Sequence, residues 1–205
     1  MVDIAKLAKT VDDAAFKARA IAQLSEKSKY SLDEAYDIQS ASIQRRLNRG
    51  EKRNGMKMGF TSRAKMIQMG LNDMIWGRLT DGMMVEDGDT ISLKKYVHPR
   101  VEPEIAFLLK RPLPYPCTAA EAIAAVDGVA PAMEIIDSRY KNFKFSLEDV
   151  VADNASSSSF VVGPWHRPDT DLENLGMVME FNGRPVQIGS SAAILGQPVR
   201  SLVSA

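Results

Sequence analysis

The sequence has almost no cysteine, and this scarcity excludes a disulfide-stabilised fold. Cys117 is the single cysteine among 205 residues, so no internal disulfide can form. A reducing, cytoplasmic setting is the simplest interpretation. Cys117 follows a Pro-Tyr-Pro turn, and the two histidines, His98 and His166, are isolated in the sequence. We therefore do not expect a Cys–His catalytic pair.

The sequence also lacks an excess of charge of one sign and any long hydrophobic run. Its 26 Lys and Arg residues balance 26 Asp and Glu residues, and no basic stripe suggests nucleic-acid binding. The apolar runs are far too short to span a bilayer. The first residues are charged throughout and lack the apolar core of a signal peptide. We expect neither nucleic acid nor a membrane as a partner.

The sequence begins with helical patterns and continues with short strands and turns. Ser31-Leu-Asp-Glu34 and Thr118-Ala-Ala-Glu121 both have the form of a helix-capping box. The segments VEPEIAFLLK and GVAPAMEIID predict strands, and Asn182-Gly183 predicts a hairpin turn. These patterns indicate an α+β fold, with a helical region over 1–54 and a strand-rich region over 55–205.

Two carboxylates interrupt one of the predicted strands. Glu102 and Glu104 lie two residues apart, so their side chains share one face of the strand, next to an apolar run. One interpretation is an edge strand whose charges face solvent and prevent aggregation. Pro103 between them also fits an edge strand or a bulge.

A third carboxylate favours a different interpretation. Glu134 lies in the apolar segment APAMEIID, and glutamates in such surroundings are rarely buried without a partner. No lysine or arginine is placed to pair with all three carboxylates, whereas one divalent cation could. Three carboxylates without nearby cysteine or histidine select a hard ion, Mg²⁺ or Mn²⁺, and leave coordination positions for a substrate. We therefore predict a metal site at Glu102, Glu104 and Glu134.

Four segments carry a resemblance to a known family: GMKMGFTS, VEPEIAFLL, EIIDSRY and VADNASS. They resemble the fumarylacetoacetate hydrolase-like superfamily, and within it the hydratases and decarboxylases of aromatic meta-cleavage pathways. The resemblance runs from about residue 30 to the end of the sequence. It implies a mixed β-roll over 55–205, and it implies that the three glutamates hold Mg²⁺ or Mn²⁺.

The resemblance also assigns roles to residues outside the glutamates. The family lysine of the GxKxG motif corresponds to Lys57, which is implied to contact the substrate or to act as an acid or base. Asn154 and Ser156 match family positions near the substrate, although both residue types are also ordinary in turns. The implied substrate is a small 2-oxo acid.

Ile75 distinguishes the two branches of the family. The hydratases carry an Asp before an aromatic-Gly pair, whereas this sequence has Ile75 before Trp76-Gly77, as the decarboxylases do. An apolar side chain near a departing carboxylate excludes water from it. An Asp at the same position would repel the substrate carboxylate. The segment IDSRYKNFKF also resembles the decarboxylase branch. The resemblance thus implies decarboxylation of 2-oxo-3-hexenedioate, with hydration of 2-oxopent-4-enoate as the alternative.

The sequence departs from the family at its C-terminal side. The C-terminal strands of the β-roll, with a glycine-rich strand whose Thr faces the substrate, have no counterpart in this sequence. We therefore expect a β-roll that lacks its C-terminal strands. The resemblance further implies a homo-oligomer and a complex with a hydratase that consumes the product.

Three other functions remain as alternatives. A non-catalytic partner subunit would be expected to have lost a metal ligand or Lys57, and all four residues are present. A hydrolase of acylpyruvates would need a His–Glu arrangement near the N-terminus, and the first fifty residues contain no histidine. A binding module without catalysis would not need the three glutamates.

Overall fold

The computed structural model of the chain describes residues 2–69 and 73–204. Within these ranges there are six α-helices and eight strands. The helices are α1 (Ile4–Phe16), α2 (Leu32–Asn48), α3 (Arg63–Met69), α4 (Ala119–Ala125), α5 (Leu147–Ala152) and α6 (Val199–Ser204). The strands are β1 (Arg53–Gly59), β2 (Ile75–Thr80), β3 (Met84–Val85), β4 (Pro99–Leu109), β5 (Val126–Asp137), β6 (Ser157–Val162), β7 (Gly176–Phe181) and β8 (Arg184–Ser190).

Local sequence signals fix several of these boundaries. The predicted capping boxes are both present, with Ser31 and Glu34 opening α2, and Thr118 and Glu121 opening α4. Each box satisfies amide groups that the first helical turn leaves without partners. The Asn182-Gly183 turn joins β7 to β8, and both of its residues have the positive φ that a tight hairpin turn requires.

The strands form three sheets, and none of them closes into a barrel within the described residues. Strands β1 and β2 form one pair, β7 and β8 form an antiparallel pair, and the remaining strands form a sheet in the order β3-β6-β5-β4. Strand β3 is parallel to β6. The predicted α+β fold with a helical N-terminal region is confirmed. Among the described helices, none has the length and apolar character that crossing a membrane requires.

The described residues divide into two compact units, and each unit combines several chain segments. The first unit contains residues 2–57, 75–102 and 134–161, and the second contains 58–69, 73–74, 103–133 and 162–204. These units are defined by contacts in space, whereas the predicted division at residue 54 is a division along the sequence. That predicted boundary stays a prediction.

In the first unit, a buried acid joins the two N-terminal helices. Asp12 of α1 is almost fully buried and accepts hydrogen bonds, each at 2.7 Å, from Arg45 of α2 and from Arg49, the residue that follows α2. Burial disfavours the charged carboxylate, but the hydrogen bonds from Arg49 and Arg45 outweigh it and hold the pKa of Asp12 below its usual value. The pairing compensates a charge that would otherwise be costly to bury.

In the second unit, helices α4 and α6 and strand β5 build an apolar core. Its buried members are Ala122, Val126, Val129 and Leu202. Cys117 packs against this cluster as a free thiol. A thiol packed beside aliphatic side chains behaves as a small apolar group.

Candidate metal centre

The three predicted glutamates lie together in the structure. Glu102 and Glu104 are on β4, Glu134 is on the neighbouring strand β5, and one carboxylate oxygen from each lies within 4.8 Å of the others. Glu102 is exposed, Glu104 is partly buried, and Glu134 is only 4% exposed. We refer to these three side chains as the carboxylate triad.

The geometry of two adjacent strands produces the triad. Alternation along β4 places Glu102 and Glu104 on one face. The Asp137 carboxylate of β5 accepts hydrogen bonds from the backbone amides of Val97 and His98, just before β4 begins. At the other end of the two strands, the Lys110 amide donates to the Ala125 carbonyl at 2.9 Å. Strands β4 and β5 therefore run antiparallel, and this brings Glu134 close to the glutamate pair. Strand β4 is the edge of its sheet, as Pro103 suggested.

The triad fits a hard divalent cation. Mg²⁺ takes oxygen ligands at about 2.1 Å in octahedral geometry, so ligand oxygens lie roughly 3 to 4 Å apart. The separations in the triad approach that range, and its donors are all carboxylate oxygens. The donor set suits Mg²⁺ or Mn²⁺ better than Zn²⁺, which prefers cysteine and histidine.

Glu134 has a partner on each of its carboxylate oxygens. The Ser157 hydroxyl donates a hydrogen bond of 2.9 Å to Oε1, and the Lys57 ammonium lies 2.9 Å from Oε2. This contact does not have the geometry of a hydrogen bond, but at 2.9 Å the attraction between the two charges is substantial. Lys57, placed here by strand β1, is mostly buried. The structure thus brings the lysine of the GxKxG motif to the triad.

The segment that follows α5 approaches the triad in a strained conformation. Asn154, Ala155 and Ser156 have φ values of 54°, 51° and 58° in succession. Residues other than glycine rarely adopt this left-handed region, and the conformation costs energy at each of them. The Ala155 carbonyl accepts a hydrogen bond of 3.2 Å from Lys57, so this strained segment contacts the lysine directly.

Ser156 and Asn154 differ in how their side chains are used. The Ser156 hydroxyl is buried, and it has no hydrogen-bond partner in the part of the chain that the structure describes. The Asn154 side chain is bonded at both ends, because its oxygen accepts from the Arg78 amide at 2.8 Å and its nitrogen donates to the Arg78 carbonyl at 2.9 Å. Asn154 therefore fastens the strained segment to β2.

Strand β2 meets the strained segment at a position where only glycine fits. A Cβ atom built on Gly77 would lie 2.6 Å from the Asn154 carbonyl oxygen. Ile75 is two residues earlier on the same face of the strand and is buried. Ile75, the residue that distinguishes decarboxylases from hydratases, thus lies on the strand face that approaches Asn154.

Replacing Gly77 by alanine should displace the strained segment. We expect Gly77→Ala to reduce the free energy of unfolding by about 1–3 kcal/mol, because the methyl group overlaps backbone atoms that cannot move easily. Urea unfolding measures this change. The control is Gly55→Ala on β1, where nothing lies within 4 Å of the added atom. Equal stability of the two variants would contradict the expected overlap.

Three residues of this site were not recognised from the sequence. Ser157, which bonds to Glu134, is one of four consecutive serines at 156–159. Arg139 and Asp153 form a buried ion pair close to the strained segment. Burial raises the pKa of Asp153 to about 6, and the Arg139 charge opposes this rise. The quoted segments EIIDSRY and VADNASS contain both residues, so the family resemblance could have singled them out.

Comparison with known proteins places the chain in a family. The model described as "Fumarylacetoacetate (FAA) hydrolase C-terminal" matches residues 53–205. A 4-oxalocrotonate decarboxylase from a Pseudomonas species is 59% identical over 202 residues, covering 98% of this chain and 79% of that protein. A 2-hydroxypent-2,4-dienoate hydratase from Pseudomonas putida is 40% identical over 173 residues, covering 82% of this chain and 78% of that protein.

A solved structure agrees with these sequence matches. The 4-oxalocrotonate decarboxylase from Pseudomonas putida G7, complexed with magnesium and adipate, has a TM-score of 0.94 and 41% identity to this chain. The match covers 98% of this chain and 78% of that one. The expected resemblance is confirmed: the chain belongs to the fumarylacetoacetate hydrolase family and groups there with the 4-oxalocrotonate decarboxylases.

Proposed function

We propose that the chain catalyses the metal-dependent decarboxylation of 2-oxo-3-hexenedioate, also called 4-oxalocrotonate, to 2-hydroxypenta-2,4-dienoate and CO₂. The observation that carries this proposal is the carboxylate triad with Lys57 beside it. The similarity to decarboxylases supports the reaction type. The magnesium and adipate of the solved relative support a divalent cation and a six-carbon dicarboxylate.

The triad would hold Mg²⁺ or Mn²⁺, and a cation there would supply the positive charge that draws electrons toward the C2 oxygen of the substrate. When the C5–C6 bond breaks, its electrons form the C4–C5 double bond. The electrons of the former C3–C4 double bond form the C2–C3 double bond, and the C2 carbonyl electrons move to oxygen. One proton added to that oxygen completes the product.

We assign that proton to the Lys57 ammonium. The group is mostly buried, and contacts with Glu134 and the Ala155 carbonyl orient it. A positioned acid of this kind accelerates proton transfer because it needs no rearrangement when the transition state forms. After donating its proton the lysine side chain is neutral, and a proton from water would return it to the charged form.

Ser156 is proposed as a substrate donor, and Asn154 is proposed as its support. The buried Ser156 hydroxyl lacks a protein partner in the described residues, and a substrate oxygen would satisfy it. Asn154 matches a family position near the substrate, but both ends of its amide bond to Arg78. We therefore assign Asn154 the role of holding the strained segment in place.

Ile75 is proposed to disfavour hydration. The buried isoleucine keeps water from the region that a departing carboxylate would cross, and it adds no charge that would repel this group. The 40% identity to a hydratase is the observation in support of the alternative function, 2-oxopent-4-enoate hydratase. The two functions share the triad and Lys57 and differ at this position.

The variant Ile75→Asp tests this assignment. We expect it to lower kcat/KM for decarboxylation by about 10- to 100-fold, since the added carboxylate repels the dianionic substrate by roughly 1–3 kcal/mol. Titration calorimetry should show little change in Mg²⁺ affinity. The matched control is Ile75→Asn, which adds polarity without charge, and circular dichroism verifies folding. Normal decarboxylation by the folded Asp variant would refute the assignment.

The central experiment measures both reactions on the same preparation. We expect CO₂ release from 2-oxo-3-hexenedioate that depends on added Mg²⁺ or Mn²⁺ and ceases with a chelator. Hydration of 2-hydroxypenta-2,4-dienoate is assayed beside it. Hydration without CO₂ release would establish the alternative function. Absence of both reactions, with Mg²⁺ bound, would favour a non-catalytic partner subunit.

The product suggests the partner. The name of the similar hydratase gives a 2-hydroxydienoate as its substrate. We therefore propose that the chain forms a complex with such a hydratase. We also propose that it forms a homo-oligomer. Analytical ultracentrifugation of the chain alone and mixed with a hydratase tests both associations.

A further inference from the structure

Arg139 is a buried residue that joins the two ends of the segment beside the triad. Its Nε and its backbone amide donate to the two carboxylate oxygens of Asp153, and its Nη2 donates to the Asp153 carbonyl. Its Nη1 donates to the Ser157 carbonyl at 3.2 Å. One guanidinium therefore holds residues 153 and 157 simultaneously. We call this set of bonds the Arg139 clamp.

The clamp encloses the strained backbone. The three left-handed residues, 154 to 156, lie between its two attachment points. A backbone of this kind persists only where the surrounding structure holds it, and it clusters at functional sites. The bond from Arg78 to Asn154 provides one restraint from β2, and the Arg139 clamp provides a second restraint from the segment that follows β5.

The enclosed segment contains hydrogen-bond partners of Lys57 and of Glu134. The Ala155 carbonyl accepts from Lys57, and the Ser157 hydroxyl donates to Glu134. Movement of the segment would therefore change the direction of the lysine and of one metal-ligating carboxylate together. Loss of a group that orients a metal ligand in this way typically lowers metal affinity or activity by about 10- to 100-fold.

We propose that Arg139 is the positioning residue of this site, and that its clamp on Asp153 and Ser157 fixes the orientation of Glu134 and Lys57. The inference rests on the proposed function in so far as Glu134 holds the cation and Lys57 acts on the substrate. Arginine is suited to the role because its planar fork reaches several acceptors at once, whereas the compact lysine ammonium cannot span them.

The test compares Arg139→Lys with Arg167→Lys. Arg167 forms a similar pair with Asp169 through Nε and Nη2, but that pair is exposed and distant along the chain from the triad residues. For both variants we measure Mg²⁺ affinity by titration calorimetry and hydrogen exchange of amides 154–157. Melting temperature, and kcat and KM well below it, are measured in parallel.

We expect Arg139→Lys to weaken Mg²⁺ binding by about 10- to 100-fold. We also expect faster amide exchange at 154–157, and a kcat reduced at least about tenfold with KM within about threefold of wild type. The Arg167→Lys control should match the wild type throughout. A lower melting temperature with unchanged Mg²⁺ affinity and unchanged kcat would show a merely structural role and overturn the proposal.

A second variant decides the matter if Arg139→Lys does not fold. Ser157→Ala removes the hydroxyl that links the segment to Glu134 and leaves the Arg139 clamp in place. We expect it to weaken Mg²⁺ binding about tenfold, and unchanged affinity would overturn the proposal. A wild-type chain that binds Mg²⁺ but releases no CO₂ would refute the proposed function, while the affinity comparison still decides the role of Arg139. A wild type without Mg²⁺ binding would overturn both.

Discussion

Glu134→Gln is expected to abolish measurable Mg²⁺ binding at millimolar metal and to lower decarboxylation by about a thousandfold. The substitution neutralises one of the three carboxylates of the triad. It also leaves the Lys57 ammonium without the negative charge of its partner. Charge stabilisation by a bound cation contributes several kcal/mol, and about 4 kcal/mol corresponds to a thousandfold in rate. Titration calorimetry measures the affinity, and CO₂ release measures the rate.

The control for this prediction is Glu173→Gln, which neutralises an exposed glutamate outside the triad. It should leave metal affinity and activity unchanged. Because the shape of glutamine matches that of glutamate, the hydrogen bond from Ser157 can remain, and the fold should be retained. Substantial Mg²⁺ binding by Glu134→Gln would show that the cation, if any, binds elsewhere.

Lys57→Met is expected to produce the second large effect, a fall in kcat of about 10²- to 10⁴-fold with Mg²⁺ affinity retained. This range is typical for the removal of a positioned acid or base. Methionine fills the same volume without the charge, so Glu134 keeps both oxygens available to a cation. Steady-state kinetics at saturating metal, together with calorimetry, separate the two quantities.

Lys52→Met is the matched control, since Lys52 is exposed and lies five residues earlier on the same part of the chain. It should behave as wild type. If Lys57→Met lost Mg²⁺ binding and activity in parallel, Lys57 would be a support for the triad and not a proton donor. If kcat were unchanged, neither role would stand.

The meeting of the three glutamates could be predicted from the sequence because its physical basis is local. Alternation along one strand is sufficient to put Glu102 and Glu104 on the same face, and an apolar segment around Glu134 is sufficient to require a partner for its charge. The capping boxes and the Asn182-Gly183 turn are likewise encoded within four residues. Signals of this range need no knowledge of tertiary contacts.

The restraints around the carboxylate triad depend on tertiary contacts and could not be predicted in this way. Ser157 reaches Glu134 across 23 residues, and Lys57 reaches Ala155 across 98. Nothing in a run of serines distinguishes the one that bonds to a carboxylate. The left-handed conformation of Ala155 is equally invisible in the sequence, because alanine has no preference for it and the surroundings impose it.

The β7–β8 hairpin has a practical consequence for work on the isolated chain. Val178 and Ile188 face each other across the two strands, and their exposed fractions are 59% and 79%. An exposed aliphatic pair on a two-stranded hairpin promotes self-association and non-specific binding as the protein concentration rises. Calorimetric titrations should therefore be run at low micromolar protein, and a Val178→Thr/Ile188→Thr version would provide a more tractable sample with the triad untouched.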